Sequence, residues 1–134
     1  MLNRQVLKKV KKQLEAVKLG DLIRIEWFDA SIGRSSSGGP IDVPVKSWGI
    51  YLGIFGERNK QIIIAQNNFR YTETTYDIDY TAIPLTWTIN VQVISKEEIK
   101  NEEAQNLLNS FIQGKCRAIY RKRVQWRKVN SELD

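Results

Sequence analysis

The sequence contains no histidine and a single cysteine, Cys116. Without imidazole there is no Ser-His-Asp or Cys-His pair, no usual zinc ligand set, and no side chain that ordinarily exchanges protons near neutral pH. Most hydrolase chemistry is thereby excluded, and only carboxylates, lysines, tyrosines and a lone thiol remain for catalysis. We expect a non-enzymatic protein with no catalytic residue, no metal site and no cofactor. One cysteine closes no internal disulfide, which fits a reducing cytoplasm. No apolar stretch approaches the roughly 18 residues of a membrane span. The N-terminal Met1-Leu2-Asn3-Arg4 runs into a lysine-rich segment without the apolar core of a secretory leader, so neither export nor a membrane partner is expected.

What is present is ordinary in amount and uneven in placement. The chain has 134 residues, 42% of them hydrophobic and 27% charged, which suits one domain spanning 1–134. Its net charge of +6 comes from the two ends. Residues 1–20 hold six Lys/Arg against Glu15 alone, and residues 115–128 hold seven basic side chains and no acidic one. Between them the chain is slightly acidic.

The apolar pattern predicts an α+β fold. Leu7, Val10, Leu14 and Val17 recur at helical spacing, with Arg4, Lys8, Lys11 and Lys12 on another arc, so residues 2–19 are expected to form an amphipathic helix stopped by Gly20. Ile23, Ile25 and Trp27 alternate with Arg24 and Glu26 as in a strand. A Gly/Ser-rich loop over 30–46 follows. Trp48–Phe55 and Gln61–Gln66 read as strands joined by a hairpin turn at Gly56-Glu57-Arg58-Asn59-Lys60. Residues 69–82 alternate weakly, as an edge strand or an ordered loop would. Leu85, Trp87, Ile89, Val91 and Val93 keep a strict period of two and complete a β core over 21–95. Ser95 and Glu98 have capping-box spacing before a helix over 96–113, ended by Gly114. The expected architecture is a small, bent antiparallel sheet or barrel of about five strands, with an N-terminal helix and a helix before the last strand.

The segment 115–128 carries the functional expectation. At strand periodicity, Cys116, Ala118, Tyr120, Val124 and Trp126 share one face, while Lys115, Arg117, Arg121, Arg123 and Arg127 share the other, with Ile119 and Lys122 as the exceptions. A strand of this kind buries its apolar face and presents a ladder of guanidinium groups about 6.6 Å apart, a spacing suited to several phosphates at once. The same ladder also fits a solvated edge on which charge blocks aggregation. The leading expectation is salt-dependent binding of DNA or RNA by Lys115, Arg117, Arg121, Arg123 and Arg127, aided by Lys8, Lys11 and Lys12. The alternative is a protein-interaction or assembly module that self-associates through the helix stripe and a sheet edge. Cys116, on the apolar face, reads as a buried, inert thiol.

Two resemblances rest on short runs. The series Gly20-Asp21-Leu22-Ile23-Arg24-Ile25, Val45-Lys46-Ser47-Trp48-Gly49-Ile50-Tyr51-Leu52, Ile62-Ile63-Ile64-Ala65 and Ile83-Pro84 before Val93-Ile94 resembles the strand pattern of small Sm-like β-barrels, including phage and archaeal proteins. It covers about 75 residues, and it implies a barrel that binds RNA, DNA or protein. Gly20-Asp21-Leu22-Ile23 and Trp48-Gly49-Ile50-Tyr51-Leu52-Gly53 are also similar to lecithin:retinol acyltransferase-like papain-type enzymes. Ser47 stands where that family has its histidine, so the second resemblance implies a related fold in which Cys116 has no base.

Overall fold

The computed structural model describes residues 4–29, 43–70 and 76–115. Helix α1 (Arg4–Glu15) leads through a tight turn into β1 (Leu22–Asp29). Then come β2 (Val43–Phe55), β3 (Gln61–Arg70), β4 (Tyr76–Pro84), a single 3-10 turn (Leu85–Trp87), β5 (Thr88–Ser95) and helix α2 (101–115). The fold is α+β. The strands form one antiparallel sheet in the order β4-β3-β2-β1-β5, with β4 and β5 at its edges, so the sheet is open and not a closed barrel.

Strand β2 is the spine of the sheet. Its first part, Val43 to Ile50, pairs with β1, and its second part, Ile50 to Phe55, pairs with β3. Pro44 is tolerated because it lies in the part of β2 that has no partner on the β3 side. The β2–β3 hairpin turns at Gly56, whose φ of 117° suits glycine. A Cβ there would also stand 2.3 Å from the Asn59 carbonyl oxygen.

Both faces of the sheet are covered near β3, which explains its unbroken run Ile62-Ile63-Ile64-Ala65. Ile62 and Ile64 point beneath α1 into a core with Val10, Leu14, Ile23, Ile25, Ile83 and Val91. Ile63 and Ala65 point the other way, beneath α2, toward Leu107, Phe111, Leu52 and Ile78. A strand buried on both faces loses the polar alternation of a half-exposed one.

A buried carboxylate ties these layers together. Asp21, only 2% exposed, accepts the Lys18 N–H at 2.9 Å and the Glu97 N–H at 3.0 Å. Its own backbone carbonyl accepts the Tyr51 N–H at 2.9 Å. The α1–β1 turn, β2 and the β5–α2 turn therefore meet at one residue. Gly20 beside it adopts φ 97°, and a Cβ there would press on the Ile99 carbonyl oxygen at 3.0 Å. At the open edge of β5, Gln13 of α1 accepts the Val91 N–H and donates to Asn90 Oδ1. The helix thus satisfies a strand edge that would otherwise be open to pairing.

Several boundaries differ from expectation for local reasons. The segment 96–100 is a turn rather than the first turn of a helix, because Asp21 and Gly20 hold the Glu97 and Ile99 N–H groups, and Glu97 adopts φ 49°. The Ser95–Glu98 spacing therefore caps nothing. Helix α2 instead runs past Gly114 to residue 115. A side chain at Gly114 would meet nothing within 4 Å, so this glycine is solvent-facing and does not force a stop. The period of two through Leu85 and Trp87 is broken by the 3-10 turn, which leaves Leu85 buried and Trp87 outside, and Thr88 takes the inward place at 0% exposure. The Thr88 hydroxyl donates to the Pro84 carbonyl at 3.1 Å, which satisfies it in that apolar site.

Candidate functional site

Three cations, Lys11, Arg58 and Lys60, come together where α1 meets the β2–β3 turn. A cleft of about 840 Å³ lies there. Leu7 and Lys11 of α1 form one wall, Glu57, Arg58 and Lys60 of the hairpin turn form another, and Leu85 and Trp87 of the 3-10 turn close it. Helix α1 and the β2–β3 turn bring these cations together from segments far apart in sequence. Lys11, Arg58 and Lys60 are exposed and have no ion-pair partner among the described residues. Their one acidic neighbour in the cleft is Glu57, so the cleft is net positive. Away from the cleft, Glu26 pairs with Arg24 and with Lys46.

Trp87 supplies the aromatic component. It stacks on Trp27 with ring centroids 6.5 Å apart and planes 15° from parallel. Trp27 is itself fixed, donating from Nε1 to Ser47 Oγ at 3.0 Å. Trp87 remains 39% exposed and lines the cleft, held in one orientation by its neighbour. Chemically, a rigid indole beside three cations suits an anionic ligand with flat or apolar parts.

Of the site residues expected from sequence, Lys8, Lys11 and Lys12 lie exposed on α1, and Lys11 lines the cleft. Lys115 is in the last turn of α2 rather than at the start of a strand. Its Nζ donates to the Tyr80 hydroxyl and sits 4.6 Å from the centre of that ring. It is thus on the opposite side of the sheet from the α1 lysines. Arg117, Arg121, Arg123 and Arg127, with the rest of the expected basic strand from 116 to 128, lie outside the described residues, as does Cys116. Sequence reasoning missed Arg58, Lys60 and Trp87. The first two fall in a turn, and Trp87 keeps strand parity with Val91, which reads as core. The Gly56–Lys60 turn did carry a signal in its two cations, but only the fold shows that they face Lys11.

The position matching the papain-type histidine, Ser47, serves as the acceptor for Trp27. Among the described residues no cluster of His, Cys, Asp and Glu side chains has the makings of a metal site. No described helix is long and apolar enough to cross a membrane. Burial pushes the Tyr51 phenol above its ordinary pKa, because its anion would lie in the apolar layer beneath α1. No family model matches the chain, and no curated protein matches it significantly.

Proposed function

We propose that this domain is a non-enzymatic nucleic-acid binding protein that grips the phosphate backbone with the cleft between α1 and the β2–β3 turn. The observation that carries the reading is the gathering of Lys11, Arg58 and Lys60, all without ion-pair partners among the described residues, around the exposed Trp87. Lys8 and Lys12 extend the positive surface along α1. Arg117, Arg121, Arg123 and Arg127 add charge of the same sign further along the chain. The Sm-like strand pattern points the same way, and the single cysteine accords with a cytoplasmic setting.

A second reading, a self-associating assembly module, draws on the edge position of β4 and on Trp48, which is 51% exposed on the sheet. Binding of mixed-sequence DNA and RNA at two salt concentrations, alongside the mass in solution, decides between them. The nucleic-acid reading requires affinity that falls steeply as salt rises. A stable oligomer with no salt-sensitive binding overturns it in favour of assembly.

A further inference from the structure

Trp87 is an exposed aromatic platform that the fold holds in place. It sits on the 3-10 turn Leu85–Trp87, and both ends of that turn are pinned. The Leu85 N–H donates to the Lys60 carbonyl at 2.9 Å, and the Thr88 hydroxyl donates to the Pro84 carbonyl at 3.1 Å. The first of these bonds joins the turn that carries Trp87 to the hairpin that carries Arg58 and Lys60. The indole lies against Trp27, which is tied in turn to Ser47. A large ring that is 39% exposed on a cleft wall, and fixed by its neighbours, is prepared to stack on something flat.

We propose that the cleft takes single-stranded nucleic acid, with an unpaired base stacked on Trp87 and the adjoining phosphates held by Lys11, Arg58 and Lys60. This rests on the nucleic-acid reading of the cleft and narrows it to a class of strand. Inside a duplex each base is stacked above and below and offers only its edges, so an indole meets a base face only where the strand is unpaired. Phosphate contacts alone would not favour such a strand, because duplex DNA releases more counterions per contact. The scale of the cleft points the same way. Its volume of about 840 Å³ is that of a small-molecule pocket, which suits a nucleotide lying between α1 and the hairpin rather than a double helix. Every base has a π-face, so binding at Trp87 is tolerant of sequence.

The test compares the affinity of the full chain for a short single strand, the same strand carrying abasic sites, and the matching duplex, each at two salt concentrations. The strand is offered as DNA and as RNA, and the one held tighter identifies the source. The intact single strand is expected to bind at least about 5-fold more tightly than either the abasic strand or the duplex. Trp87→Ala should remove the margin over the abasic strand at an unchanged log-log salt slope, since no phosphate contact is lost, and Trp87→Phe should restore most of it. If Trp87→Ala does not fold, the abasic comparison on the unaltered protein decides alone. Salt-sensitive binding that is equal for the intact and abasic strands, or as tight for the duplex, overturns this inference and leaves the polyanion reading standing. Absence of salt-sensitive binding to every strand overturns that reading and this inference with it.

Discussion

The two faces of the sheet are covered by one helix each and to very different degrees. Under α1 the core is closed, and Val10, Ile23, Ile25, Ile62, Ile64 and Ile83 have no exposed surface at all. Under α2 the layer is thinner, with Leu107 and Phe111 buried while, among the described residues, a groove remains beside Ile112. The difference follows from anchoring. Helix α1 is fixed along its length, by its apolar stripe and by Gln13 at the β5 edge, whereas α2 departs from the Asp21 clasp and packs through fewer large side chains. The closed face therefore carries the stability. At its rim lies the cleft between Lys11 of α1 and the β2–β3 turn.

The clasp is where this comparison breaks most completely. Asp21→Ala strips the acceptor from two backbone N–H groups in a buried site, and equilibrium denaturation should show a loss of about 4 kcal/mol. Asp21→Asn, which keeps one acceptor oxygen, should lose about half as much, and equal losses would mean that the retained acceptor contributes nothing on its own. Next come cavities on the two faces. Ile64→Ala, in the closed layer, should cost about 3 kcal/mol, against less than about 1 for Ile112→Ala on the groove wall. Similar values would erase the distinction between the faces. The smallest effect is that of Tyr51. Its phenol is neutral in the fold and its pKa is raised, so its contribution is complete below the ordinary value near 10 and is lost as pH climbs beyond it. The stability of Tyr51→Phe should therefore decline less between pH 9 and pH 11 than that of the unaltered protein, as read by thermal melts (about 10 being the free phenol value).

Much of this architecture was legible in advance. The spacing of Leu7, Val10 and Leu14 marks α1, which ends at Glu15 before the expected stop at Gly20, and the alternation through Ile23 and Ile25 marks β1, because each pattern reports a single buried face. The elements that escaped are those whose burial or termini depend on distant residues. The 3-10 turn at Leu85–Trp87 reverses strand parity without altering composition, so Trp87 looked inward and is not. The start of α2 is displaced by a carboxylate 76 positions away in sequence. The cleft was half legible. Lys11 stood out because helical periodicity separates charged from apolar arcs, while Arg58 and Lys60 sat in a turn whose facing surface is set only by the folding of α1 across the sheet.

The most direct measurement is the salt dependence of oligonucleotide binding by two multiple variants of the full chain. Lys11→Gln, Arg58→Gln and Lys60→Gln combined should lower the log-log slope by roughly 2, at about 0.7 to 0.9 per lost phosphate contact. The comparison variant neutralises Arg117, Arg121, Arg123 and Arg127 instead and leaves the cleft whole. A slope unchanged by the cleft variant, with binding lost only in its counterpart, would contradict the assignment of the phosphate grip to the cleft between α1 and the hairpin.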